Sequence, residues 1–235
     1  RLSLVGSEMC IRDRHTDRPA GLVLSRQDLP TIDRSKYASA GGVARGAYVV
    51  CEASAEPKVI LIGTGSELSV ALEAREKLEA DGIATRVVSM PCQEWFDEQD
   101  EEYRESVLPS SVTARVSVEA GIAMGWAKYV GCKGASVSLE HFGASASGAL
   151  LFEKFGFTAD HVAEVAHTVL LHGVRHTDVE PTPGKSRQGD APRRGDVLLR
   201  ADDPCRHRPA TLNKSLDRRQ DPRGGSPYGD GQDHN

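Results

Sequence analysis

Several short stretches of this chain place reactive residue types at spacings that known chemistry uses. Gly63-Thr64-Gly65 lies between an apolar run and a helical pattern, like half of the glycine fingerprint whose helix N-terminus faces a pyrophosphate. Leu68 takes the place of the third glycine, and the next apolar run ends on Ser89 where an acid would have to hold a ribose. The spacing therefore predicts a tight packing turn. "GASAS" around Ser145 is near the nucleophile elbow of hydrolases, but Ser147 stands where a glycine must permit the sharp turn. His167, His172 and His176 are residue types that ligate metals. They straddle the point where the helical pattern fails, which predicts rings facing solvent. Tyr228-Gly229-Asp230-Gly231 contains a Gly-Asp-Gly core suited to magnesium, yet the further oxygen ligands that an octahedral cation needs do not follow it.

Composition narrows the classes. The formal net charge is −5, and the basic residues are densest after residue 173, so the middle of the chain has no nucleic-acid footprint. No apolar run is long enough to span a bilayer. Five cysteines, Cys10, Cys51, Cys92, Cys132 and Cys205, are odd in number and form no C-x-x-C pair. That usage predicts a reducing cytoplasm, with no disulfide frame and no zinc site.

The elements that must position any site alternate regularly. "GLVLSRQ" (21–27) reads as a short strand, followed by strand-like "GAYVVCEA" and "KVILIGT"; the latter is apolar enough to be covered on both faces. In "GTGSELSVALEAREKLEADG", Leu68, Ala71, Leu72 and Leu78 share a helical stripe, Thr64 and Glu67 have capping-box spacing, and Gly82 suits the C-terminus. "ATRVVSM" is a strand stopped by Pro91, "EEYRESVL" a helix, "VTARVSVE" a strand, "GIAMGWAKYVG" a helix and "ASVSLE" a strand. Two helices close the pattern: "ALLFEKFG", then "TADHVAEVAHTVL", which is capped by Thr158 and buries Val162, Val165, Ala166 and Val169. The prediction is an α/β fold: a three-layer, doubly wound, mostly parallel sheet.

Between the second and third of these units runs "VVSMPCQEWFDEQDEEYRESVLP" (87–109). Its acids Glu94, Asp97, Glu98, Asp100, Glu101 and Glu102 predict a solvated face, while Trp95 and Phe96 predict apolar anchors.

This stretch, together with "LSRQDLP" (24–30), "LIGTGSELSVALEA", "ARVSVEAGI" and "HFGASASGALLFEKFGFTADHV", resembles the C-terminal third of transketolases, in that family's order and spacing over roughly residues 20–170. The resemblance implies an enzyme that uses thiamine diphosphate and Mg²⁺ to move a two-carbon ketol unit between sugar phosphates, working as a cytoplasmic homodimer. It further implies that residues 15–45 end a pyrimidine-binding domain and that 46–172 form the C-terminal domain. Arg26 of the "SRQ" motif would bind the substrate phosphate, for which a guanidinium's paired donors are suited. The family's catalytic glutamate, its metal ligands and its cofactor-binding histidines belong to segments that nothing in 15–172 resembles. The expectation is therefore that this chain supplies no catalytic, cofactor or metal residue and does not bind the cofactor alone. Dihydroxyacetone synthase, deoxyxylulose-phosphate synthase and a free-standing α/β metabolite-binding module remain the alternatives.

The flanks read differently. Residues 1–14 lack a starting Met, and "LVGSEMCIRDR" (4–14) resembles a translated sequencing-library adaptor. Residues 173–235 hold seven of the chain's twelve prolines and no apolar period, which predicts a disordered, out-of-frame tail.

Overall fold

Strand β2 (Val59–Gly63) has every residue buried. It is the middle strand of a five-stranded sheet in the computed structural model, which describes residues 18–19, 21–25 and 27–172. The other strands are β1 (Tyr48–Cys51), β3 (Thr85–Ser89), β4 (Arg115–Val118) and β5 (Ala135–Val137), in the order β1-β3-β2-β4-β5. β2 runs parallel to β3 and β4, and β4 parallel to β5; only β1 is antiparallel, against β3. The α/β reading of a mostly parallel sheet therefore holds.

The period of two along β2 divides the core. Val59 and Leu61 face one layer, with Leu68, Ala71, Leu72 and Leu78 of helix α1 (Glu67–Ala80) and Val162, Val165, Ala166 and Val169 of a later helix. Ile60 and Ile62 face the other, with Phe96, Val107, Trp126 and Tyr129. These come from α2 (Gln93–Asp97), α3 (Glu101–Val107) and the 3₁₀ turn Ala123–Trp126, which continues into the single-turn α4 (Ala127–Val130). Helix α5 (Gly148–Phe155) buries no residue, and α6 (Ala159–His172) completes the first layer. The α6 stripe predicted from the sequence is the buried one, and Oγ1 of Thr158 accepts the His161 amide at 3.3 Å.

Helix α1 ends as its sequence predicts. Gly82 takes φ +76°, its amide donates to the Glu79 carbonyl at 3.0 Å, and the Ile83 amide reaches back to Leu78 at 2.9 Å. At the other end the predicted capping box does not form: no side chain caps α1, and Glu67 turns inward instead.

Residues 21–25 are likewise not a strand. Val23 is 97% exposed, and the run has no ladder partner among the described residues. An extended apolar segment without one has no use for its amides and carbonyls as a strand. The predicted helix "GIAMGWAKYVG" shrinks to the 3₁₀ turn plus α4, with Gly125 inside it and glycines at both its ends.

The excursion after β3 is anchored by Phe96, which is buried, whereas Trp95 is only half-buried. Phe96 packs against the rings of Tyr103 and Tyr129, at 6.4 and 6.2 Å between centroids, and the Tyr103 hydroxyl donates to the Ala47 carbonyl at 2.8 Å. Most of the acidic run faces solvent, but Asp97 binds Lys128 at 2.6 Å and accepts the Tyr129 hydroxyl at 3.1 Å, while Asp100 caps α3 by accepting the Tyr103 amide at 2.7 Å. Cys51 and Cys92 are free thiols; Cys132 is disulfide-bonded, contrary to the expectation of a chain without disulfides.

Candidate functional site at the carboxyl ends of the strands

From β2 the chain steps to β3 on one side, then crosses back to β4 on the other. The loops after β2 and β4 therefore diverge, and such a switch point is where open α/β sheets bind ligands. The turn after β2 is tight by necessity, because a methyl group on Gly63 would stand 3.0 Å from the Leu68 Cα. Leu68 itself is core, so the glycine pair serves close strand–helix packing, as the missing third glycine predicts.

Glu67 opens α1 and is only 6% exposed. Its Oε1 accepts the Ala120 amide from the loop after β4 at 3.2 Å, and its Oε2 accepts the Ser66 hydroxyl at 2.9 Å. Burial pushes this carboxyl above its ordinary range, and the nearby charge of Glu119 pushes the same way, against the hydrogen bonds from Ser66 and Ala120. An anion bound at the head of α1 would meet this carboxylate, so the geometry argues against a pyrophosphate there. Glu119 directly follows β4 and accepts the indole N–H of Trp126. Farther along, Oε1 of Glu140 accepts the Ala123 amide and the Ser138 hydroxyl, each at 2.8 Å. Three carboxylates thus pin the loops of this end, while the loops themselves carry apolar side chains outward: Met124 is 79% exposed and Phe142 99%.

One further segment reaches this end. A methyl group on Gly65 would lie 3.8 Å from the Ser25 hydroxyl oxygen and 3.7 Å from Oε2 of Glu67. Ser25 immediately precedes Arg26, the expected phosphate ligand, which lies outside the described residues.

The remaining sequence candidates do not assemble. Ser145 lies in an exposed loop between β5 and α5, with no strand-to-helix elbow. His167 faces Asp81, with Nε2 and Oδ2 3.2 Å apart; His172 is the last residue of α6; His176 and the 228–231 stretch lie outside the described residues. Among the described residues no group of three or more His, Cys, Asp or Glu could hold a metal ion, so they do not fit the Mg²⁺–diphosphate site of the resemblance. No helix among them is long and apolar enough to cross a membrane.

Comparison with known proteins decides the family. Residues 46–158 match the family model described as "Transketolase-like TK C-terminal domain". The chain is 56% identical over 145 residues to the transketolase of Aquifex aeolicus, covering 62% of this chain and 21% of that protein. It is 53% identical over 154 residues to transketolase 1 of Escherichia coli, covering 66% and 23%. Residues 46–158 belong to the transketolase C-terminal domain family. The crystal structure of a Pichia stipitis transketolase in complex with sedoheptulose 7-phosphate superposes with TM-score 0.56 at 38% identity, covering 62% of this chain and 20% of that one. The chain thus spans about a fifth of the length of the transketolases it matches. The Glu67–Ala120 link and the hydrogen bond between Glu119 and Trp126 are not legible in the sequence, because their partners are distant in the chain and no periodicity marks them.

Proposed function

We propose that this chain is the C-terminal portion of a transketolase, a cytoplasmic, homodimeric, thiamine diphosphate- and Mg²⁺-dependent enzyme that transfers a two-carbon ketol unit between sugar phosphates. The observation that carries the reading is the 56% identity to a transketolase over 145 residues. In this reading residues 46–172 are the C-terminal domain, and residues 15–45 are the end of the pyrimidine-binding domain and its linker. Arg26 binds the sugar's phosphate; a guanidinium supplies two parallel charged hydrogen bonds to phosphate oxygens and sets which end of the sugar enters. The residues that bind and ionise the cofactor are supplied from outside this chain, and no step of the reaction is assigned to the described residues.

A fusion tests it. The matching stretch of Escherichia coli transketolase 1 is replaced by residues 20–172 of this chain, and ketol transfer from xylulose 5-phosphate is measured. Transfer at a rate comparable to the parent supports the reading; a folded, cofactor-loaded but inactive fusion sinks it. In that fusion Arg26→Ala is expected to raise KM for the phosphorylated sugar about 10- to 100-fold, the range for a lost charge-assisted hydrogen bond. On its own, the chain should give no calorimetric signal with micromolar thiamine diphosphate and Mg²⁺.

A further inference from the structure

We propose that the amino edge of the sheet carries a second site, a cavity of about 470 Å³ lined by Lys58 and Lys133 that takes a phosphate monoester with an apolar body. It lies at the opposite end of the sheet from the site above and stands apart from the transketolase reading.

β4 stands between β2 and β5, so the residues leading into these three strands lie side by side. Lys58 immediately precedes β2, Ser111 and Thr113 come just before β4, and Lys133 comes just before β5; all four line the cavity. The two lysines enter from strands two places apart, roughly 10 Å at the usual strand spacing, a gap that two long side chains can close on one phosphate. Neither ammonium has an ion-pair partner among the described residues, and neither the Ser111 nor the Thr113 hydroxyl has a hydrogen bond among them. By contrast, Lys77 pairs with Asp160, Lys128 with Asp97 and Arg86 with Glu52.

The charges around the cavity favour an anion. Arg115, bonded to the Val112 carbonyl at 2.9 Å, adds a third positive charge, and Glu105, the acid that acts on Arg115, is engaged by the Ser110 amide and hydroxyl. The last turns of α6 also reach the rim and bring about half a negative charge, which two full positive charges outweigh. The remaining wall is apolar, with Val112, Ala114 and Val169 buried. Two ammonium groups and two hydroxyls suit the oxygens of a phosphate dianion. The valines suit a body with little hydration, whereas a polyol would lose hydrogen bonds against them. A nucleoside monophosphate has both parts, and the cavity is of the size that holds small ligands.

The test titrates the full 235-residue chain with adenosine monophosphate, inorganic phosphate and ribose 5-phosphate in parallel, followed by amide NMR. Saturable shifts are expected at Lys58, Ser111, Thr113 and Lys133, with a Kd for adenosine monophosphate of about 0.1–1 mM and about 10-fold weaker binding of the other two. Lys58 and Lys133 are exposed, so replacing them leaves the fold intact. Lys58→Gln and Lys133→Gln should each weaken the nucleotide about 10-fold, the range for a lost charge-assisted hydrogen bond. Lys154→Gln makes the same change of charge on α5 and should leave the affinity as it was. Equal weakening by Lys154→Gln overturns the proposal, because net charge would then account for the binding. So do nucleotide binding no tighter than that of phosphate, shifts that miss the four cavity residues, and a titration that does not saturate.

Discussion

Arg115 and Glu67 are charged residues withdrawn from water at opposite ends of the same sheet, and they are satisfied in different ways. Arg115, at the amino end of β4, donates to the carbonyls of Val112 at 2.9 Å, Tyr129 at 2.8 Å, Leu108 at 3.1 Å and Pro109 at 2.9 Å. It gathers carbonyls from the segment that leads into β4 and from α4 onto one guanidinium. Glu79 works beside it in the same sense, accepting the amides of Ser54 at 3.2 Å and Thr85 at 2.8 Å, before β2 and at the start of β3. The amino end is therefore sealed by side chains onto its own backbone. At the carboxyl end Glu67, Glu119 and Glu140 hold loops in place, and those loops present Met124 and Phe142 to solvent. One end is closed by side chains onto its own backbone, and the other leaves apolar side chains in solvent on loops held by carboxylates.

The contrast can be broken by substitution. Arg115→Met should cost the most, about 3 kcal/mol, because it strands several carbonyls at once; urea unfolding reads it. Glu79→Gln should cost about 1 kcal/mol near neutral pH, where the acceptor of the Ser54 and Thr85 amides becomes a poorer one. Gly82→Ala should cost about 1 kcal/mol; its added methyl has open space, so the penalty is the left-handed backbone alone. Phe142→Ser should change the unfolding free energy by less than about 0.5 kcal/mol, since the ring is 99% exposed. A large loss there would show that the open end is part of the core after all.

Acid titration sharpens the same contrast, because the two ends carry opposite signs. Burial raises the Glu79 carboxyl, but the hydrogen bonds from Ser54 and Thr85 outweigh it and leave the carboxyl below its ordinary 4.5. Its contribution is present above that value and is lost as pH falls through the depressed one. Burial leaves Glu67 above 4.5. Folding raises the cost of ionising it, so its contribution is present below 4.5 and is lost as pH rises through the elevated value. Between pH 4 and 7, Glu67→Gln should therefore flatten a decline in stability with rising pH, while Glu79→Gln should remove a gain confined to the more acid side. Urea midpoints across that range distinguish the two.

The sheet was legible because β2 is apolar on both faces and β3 carries the pair Val87-Val88, and α1 and α6 because their stripes repeat at the helical period over four turns. The excursion's acidic face was legible in its charge run, but which aromatic anchors it was not: adjacent Trp95 and Phe96 point differently, and only packing chooses between them. The capping box failed for a related reason. The Thr64–Glu67 spacing is local, while the Ala120 amide that draws Glu67 inward is 53 residues away. Arg115 likewise reads as one more surface arginine until the fold delivers four carbonyls to it. The apolar run at 21–25 shows the converse, a strand-like composition to which the fold supplies no partner.

The outermost strands of the sheet are short and uneven. β5 has three residues, and β1 has four with a register break between Val49 and Cys51, so neither side of the sheet offers a long straight row of free amides and carbonyls to a neighbouring molecule. A domain edged in this way should stay dispersed at high concentration and resist templated fibril growth, whatever the fate of the segments that flank it.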